Sequence, residues 1–380
     1  MSSLDGGRCH PAALFNDRDG FSSGPRNTHD PLCGCPGVPA PGPCVLRVAR
    51  WVIVCLIALG LSLPGFSGAQ NVVLKIGTLA PEGSAWVKAF REINKDLEQQ
   101  TNKQVSLRLF PGGILGDEED MLRKIKVGEI QGALLTGGSL GIIFKEIRIL
   151  GIPFLFQNYE EVDAVLAGTD AFFQKGLLDN GFKSLGWAEQ GFIYLLSKEP
   201  IRSAADLKKG KVWVWEDAPV GRAVFRELGV NAVPLPVTDV LMALQTGMVD
   251  TVYSSPLAAI AVQWFTKVSF MTNVPLAYAT GAVVVKKADF EKIPSTQRPV
   301  VEAAFKRQLA PLKEQLRKEN GKAIQVLAGK GIKLITPSAP DLKEFQALCF
   351  KGVARLGEDQ FSKKTLEDVR NSLKTMRKEN

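Results

Sequence analysis

Beyond residue 69 the chain has no histidine and one cysteine, Cys349; His10, His29 and the other five cysteines all precede that point. The lack of imidazole removes Ser-His-Asp and Cys-His nucleophile systems from residues 70–380, and any imidazole metal site with them. A lone thiol excludes an intrachain disulfide there, so stability must come from burial of apolar surface. No Gly-rich phosphate loop ending in Lys-Ser/Thr occurs. There is no Lys/Arg block and no basic–aromatic repeat either. Setting aside the five Arg and four Asp of the first 69 residues leaves 42 basic against 35 acidic side chains. So mild a surplus gives little support to nucleic-acid binding. Carboxylate pairs remain as acid–base candidates. The densest cluster, GDEED at Gly116–Asp120, sits just before MLRKIKVGEI, which suits Asp117 as a helix N-cap with acids in the first turn. These absences describe a binder rather than an enzyme, with no catalytic residues, no metal ligands and no cofactor.

What is present is a chain of 380 residues, 45% apolar and 23% charged, long enough for two lobes with a sizeable core. Residues 1–44 are rich in Gly and Pro and read as a non-native leader from an upstream start, with Val45 as the alternative initiator. Cys33-Gly34-Cys35 is not a zinc-ligand spacing. Residues 45–69 read as a secretory signal: Arg47 and Arg50, the apolar run WVIVCLIALGLSL at Trp51–Leu63, then Ser67-Gly68-Ala69, with cleavage after Ala69 and a periplasmic product. The competing reading is an uncleaved anchor, for which the run falls short of the ~20 apolar residues a span needs.

Further along, VVLKIG, QVSLRLF and IQGALLTGG read as strands. Between them lie helices opened by Ser84 and Asp117, the first with Trp86, Phe90, Ile93 and Leu97 on one stripe. This alternation predicts parallel sheets with crossover helices, which bind ligands beyond the carboxyl ends of their strands. Thr78, Thr136, Gly137 and Ser139 are the cleft candidates on that rule, with turn duty as the competing reading. SLGWAEQGFIYLLS is a long strand carrying Trp187 and Gln190 as weaker hinge-side candidates. KVWVW at Lys211–Trp215 is a strand with two indoles on one face. Helices follow over GRAVFRELG and from Thr238 to Gly247. Strands follow over VDTVYSSP and Ala277–Phe290. A long charged helix with Pro311 inside comes next, then a helical tail with Cys349 on its apolar side.

Taken in order, IGTLAPEGSAW, LFPGGILGDEEDMLRKIKVGEIQGAL, LGIPFLFQNYEEV, IRSAADLKKGKVWV, LGVNAVPLPVTDVLMALQTGMVD and SPLAAIAVQWF resemble the solute-binding proteins of tripartite ATP-independent periplasmic (TRAP) transporters, of the dicarboxylate-binding type. The resemblance implies an α/β, two-lobed periplasmic solute-binding fold with hinge-crossing strands and a long kinked C-terminal helix. Lobe I is expected from 70–196 plus 278–318, and lobe II from 197–277 plus 319–380. It implies a cleft that closes on one small solute for delivery to TRAP membrane permease subunits, in a monomer or homodimer. In the family the strand after DLKG carries an arginine that grips the solute carboxylate. Here Trp213 occupies that position, Trp215 follows at a proline, and Glu199 stands near a second basic position. The DGQEN-P segment reads Asp250–Pro256, with Tyr253, Ser254 and Ser255 in place of the carboxylate and amide.

An indole offers one N–H and an apolar face, and cannot replace a bidentate guanidinium. Trp213, Trp215 and Tyr253 are therefore expected to form an aromatic platform for an apolar or aromatic solute. The alternatives are an organic acid held by a basic residue from elsewhere, or a ligand-binding subunit read by a periplasmic sensor.

Overall fold

The computed structural model describes residues 71–216 and 218–379, together with Gly37. The leader and signal-segment readings lie outside these residues. Strands β1 (Val72–Gly77), β2 (Val105–Phe110) and β3 (Gly132–Thr136) alternate with α1 (Ala85–Gln100) and α2 (Glu118–Val127). The expected caps are in place. Ser84 Oγ accepts from Val87 N, and Asp117 closes a capping box with Asp120. Gly128 ends α2 in the left-handed region at φ 82°, where a side chain would be strained. On α1 the buried stripe is Val87, Phe90, Ile93 and Leu97, with Trp86 packed at its edge.

Helices α3 (Gly137–Ile143) and α4 (Tyr159–Asp179) lead into β4 (Phe182–Ser197). Then come β5 (Lys211–Val214), α5 (Pro219–Leu228), β6 (Asn231–Pro234), α6 (Val240–Thr246), β7 (Thr251–Ser254), α7 (Pro256–Ala261), β8 (Phe270–Thr272) and β9 (Ala277–Lys286). The chain closes with α8 (Arg298–Gly329), β10 (Lys333–Ile335), α9 (Ala339–Ala354) and α10 (Lys363–Glu379). Two boundaries differ from expectation. Thr238 lies inside a 3-10 turn, Val237–Asp239, rather than capping α6. Strand β9 ends at Lys286, because Lys287–Phe290 turns into a short helix. Helix α8 runs through Pro311, whose ring nitrogen has no N–H to give to the preceding turn.

The strands form one sheet in the order β2-β1-β3-β9-β4-β7-β5-β6, with β8 and β10 off that path. The outer groups β2-β1-β3 and β7-β5-β6 are parallel, as the alternation predicted. Between them β4 and β9 pair antiparallel over most of their length and join the two halves. This is the α/β architecture with crossing strands that the sequence led us to expect. The β4 ladder is broken at Ser184/Gly186 and Glu189/Gly191. Gly191 sits at φ 95°, and a Cβ there would meet Tyr159 Oη at 2.8 Å and Asn320 Nδ2 at 2.9 Å. The bulge places an extra residue opposite one partner on β9 and locally bends β4. Gln190 faces a cavity, while Glu189 turns into the interior.

Arg317 of α8 meets Glu189 there, with Nη2 to Oε2 at 2.7 Å and Nε to Oε1 at 2.9 Å. It also holds Asp163 of α4 through two bonds of 2.7 Å and lies 4.3 Å from the Tyr159 ring centre. Tyr278 of β9 donates its hydroxyl to Glu189 Oε2 at 3.0 Å. One guanidinium thus ties α8, α4, β4 and, through Glu189, β9. Helix α9 packs so closely on α5 that a Cβ at Gly352 would lie 2.8 Å from Val224 Cα. Helix α10 returns to α4, where Arg377 Nε donates to Glu161 Oε1 at 2.7 Å.

Replacing Arg317 with Leu leaves the carboxylate of Glu189, whose side chain is 4% exposed, without its counter-charge. The expected cost is about 3–5 kcal/mol in urea unfolding, with the double variant R317L/E189Q recovering part of it. A loss no greater in R317L than in a surface Arg→Leu control would contradict this.

Candidate functional site

Where the two halves of the sheet face each other, the structure forms a partly open cavity of about 170 Å³. One wall comes from the end of β3 and the start of α3: Thr136, Gly137 and Gly138. Arg148, Gly151 and Pro153 continue it. Gln190 and Ile193 of β4 and Leu276–Thr280 at β9 form the back. The opposite wall is Trp215, Ala218–Gly221 and Val224, Phe225 and Leu228 of α5, with Tyr253 and Phe345. The first wall is closely packed, since a Cβ on Gly137 would come to 3.2 Å from Thr280 Cγ2. The lining is mostly aliphatic and aromatic carbon, with Arg148 as its one charged side chain among the described residues.

Of the eleven residues singled out from the sequence, Thr136, Gly137, Gln190, Trp215 and Tyr253 line this cavity and the other six, the buried Ser139 among them, do not. Thr78 is buried, its Oγ1 accepting from Ala80 N at 3.1 Å, which is turn duty. Ser255 caps α7, accepting from Ala258 N, and Ser254 ends β7 opposite Tyr194. Trp187 donates Nε1 to Asp170 Oδ1 at 2.6 Å and lies edge-on to Phe173.

Trp213 is the main departure from expectation. It is 1% exposed, packed with Val240, Leu244, Met271 and Leu327, and absent from the cavity wall. Its Nε1 donates to Leu235 O at 2.9 Å. Tyr253 stacks on it at 5.0 Å, and Trp264 and Trp215 flank it at 5.2 and 5.3 Å. With its single donor satisfied and its faces covered by other rings, this indole has nothing left to offer a solute. Trp213 supports the platform; Trp215 and Tyr253 present it.

Three features were missed. Arg148 lies in a 3-10 turn, Lys145–Gly151, and donates Nη1 to Gln360 Oε1 at 3.1 Å. Thr280 lies in the largely apolar run Ala277–Val285, and its buried Oγ1 has no hydrogen-bond partner in the structure, whereas the Tyr278 hydroxyl in the same run is taken by Glu189. The acidic cluster does more than cap. Glu118 is buried and accepts from Thr136 N at 3.0 Å and Thr136 Oγ1 at 2.7 Å, fixing a cavity residue. Burial pushes its carboxyl up to about 7, against the lowering pull of the Ser139 and Thr136 hydrogen bonds. Burial likewise pushes the Tyr253 hydroxyl up to about 12, keeping it neutral.

This two-lobed arrangement, two α/β halves joined by crossing strands around a small cavity, is that of a solute-binding protein. Residues 76–358 match the family described as bacterial extracellular solute-binding protein, family 7. The chain belongs to that family, the solute-binding proteins of TRAP transporters, and is not an enzyme. A solute-binding protein of Verminephrobacter eiseniae is 28% identical, over 80% of this chain and 91% of its own. The 2,3-diketo-L-gulonate-binding periplasmic protein of Escherichia coli is 25% identical, over 76% and 88%. The sugar acid binding protein of Advenella mimigardefordensis, in complex with galactonate, superposes with a TM-score of 0.75 at 21% identity, covering 80% of this chain and 99% of that one. Among the described residues no group of three or more His, Cys, Asp or Glu could hold a metal ion, and no helix is long and apolar enough to cross a membrane.

The raised Glu118 value has a consequence for stability. The folded state holds this proton more tightly than the unfolded chain, whose ordinary value is 4.5. The contribution is complete below pH 4.5 and is lost as pH rises through about 7. Between pH 4.5 and 8 the wild-type protein should lose about 3 kcal/mol relative to Glu118→Gln, read from urea unfolding across that range. Parallel profiles for the two proteins would refute it.

Proposed function

We propose that this protein is the extracytoplasmic subunit of a TRAP-type secondary transporter that captures a small molecule with an apolar, ring-sized body and hands it to the membrane permease. In this reading the lobes divide at β4 and β9, the export signal is cleaved after Ala69, and the mature chain works in the periplasm. The observation that carries it is the opposing wall. Trp215, Val220, Val224, Phe225, Leu228 and Phe345 present carbon where a small diacid would need donors and cations. A dicarboxylate pressed against such a surface loses hydration that the wall does not return. The size agrees, because a dry cavity of about 150 Å³ accepts benzene. The partnerless hydroxyl of Thr280, with Gln190, supplies a polar handle at the back for one oxygen-bearing group.

A second reading keeps the transporter and makes the solute an organic acid met by Arg148. It is favoured by that residue's place in the wall. The E. coli and Advenella proteins, named for sugar acids, also favour it.

Titrating the protein with benzoate, benzyl alcohol, indole, galactonate and succinate, followed by tryptophan fluorescence and calorimetry, tests the proposal. The ring compounds should bind and the two aliphatic acids should not. Thr280→Val should weaken benzyl alcohol binding by roughly three- to tenfold, the range of one hydrogen bond. Binding of succinate or galactonate with the ring compounds inert would sink the apolar reading. Loss of acid binding alone in Arg148→Gln would establish the second.

A further inference from the structure

We infer that Asp117 is a positioning residue that couples solute capture to closure, by holding the cavity-lining indole of Trp215 across the cleft. The inference rests on the cavity being the solute site. Asp117 is 8% exposed and divides its two oxygens between two tasks. Oδ1 accepts from Glu118 N at 2.7 Å, within the cap of α2. Oδ2 reaches the other half of the molecule, accepting Trp215 Nε1 at 3.0 Å and Val237 N at 3.0 Å. Those donors lie just beyond β5 and β6, whereas α2 packs beside β3. The rims touch at the same place: a Cβ on Gly113 would meet Thr238 Cγ2 at 3.1 Å.

Hydrogen bonds to an ionised carboxylate are short and roughly twice as strong as neutral ones, so two of them bias a hinged molecule toward its closed form. Trp215 has one N–H. While Asp117 holds it, the ring face stays in the cavity wall; on opening, indole and carboxylate both return to water. The next residue works in the opposite direction, since Glu118 accepts from the N–H and hydroxyl of Thr136 in the facing wall. Two adjacent carboxylates therefore hold the two sides of the cavity in register. A solute pressing on Trp215 is sensed at the latch through a single rigid ring.

The test uses the full chain and separates the latch from the cap. Asn caps helices as well as Asp, but cannot accept from Glu118, Trp215 and Val237 together. Asp117→Asn should therefore leave amide exchange in α2 and β1 unchanged while accelerating it over residues 234–240. Trp215→Phe, which keeps a ring without the N–H, should give the same acceleration over 234–240, and the double variant should add nothing further. With benzoate as probe, each single variant should bind about tenfold more weakly and release faster, again without addition in the double. Unchanged exchange over 234–240 in both variants, or additive effects, would overturn the inference. If wild type fails to bind benzoate, that counts against the apolar-solute proposal, and the exchange comparison still decides the latch. A variant whose β1 exchange also rises has lost global stability, and the other variant then carries the comparison.

Discussion

The clasp of Arg317 on Glu189 is the interaction on which the rest of the architecture depends. It lies where the two long strands pass between the halves of the sheet, and it recruits Asp163, Tyr159 and Tyr278 to the same point. A carboxylate this deep is tolerable only with a bidentate partner and a further donor; the tyrosine hydroxyl supplies the latter. The clasp adjoins the bulge at Gly191, where Glu189 faces inward and the following Gln190 lines the cavity. Asn320, on the next turn of α8 after Arg317, donates to Gln190 O at 2.9 Å and fixes the backbone at the same spot. A long helix laid across the crossing strands thus sets the geometry of a site it does not itself line.

From that fixed junction the two walls inherit different chemistry. The wall at β3 and β9 is backbone-rich and carries the polar atoms, among them Thr136, Thr280 and Gln190. The wall at β5 and α5 is carbon, because the strand that leads to it packs its own aromatic residues beneath it. Trp213 is the hinge of this difference. Buried between Trp264 and Tyr253, it raises Tyr253 and Trp215 into the wall as a layered stack. Aromatic pairs at 5.0–5.3 Å lie in the range where ring contacts add to simple burial. The layer is therefore stiff, and stiffness matters in a site that binds by shape more than by charge.

Much of this was legible in the sequence, for reasons that are local. Strand–helix alternation gave the two parallel groups, and Ser84, Asp117 and Gly229 marked helix ends because capping is decided within four residues. Thr136 and Gly137 were expected at a cleft because ligand sites follow strand ends, a rule about topology rather than about chemistry, and both line the cavity. The period of two correctly put the indoles of Trp213 and Trp215 side by side. It did not say what covers the face they share: Trp264 and Leu327 do so from far along the chain, and they turn the expected solute contact into core. Arg148 in FKEIRILG carries no local signal of its role, since its partner Gln360 lies 212 positions away. Thr280 did leave a trace, as the one threonine in the largely apolar strand AYATGAVVVK, and such a residue merits notice whenever its strand leads to a cleft.

Asp117 shows why local consistency and distant function need not compete for one residue. A capping aspartate uses one oxygen for its helix and leaves the second with lone pairs that burial would penalise if nothing came to meet them. In an open cleft water meets them; in the closed molecule Trp215 and Val237 do. The exchange costs little in either state, which is what a reversible clasp requires. A stronger partner, such as an arginine from the opposite half, would trap the closed form, and an apolar neighbour would leave the carboxylate dehydrated and favour opening. An indole N–H and a backbone N–H lie between these extremes. The indole also faces the cavity, so the group that reports closure is one that a bound solute would touch.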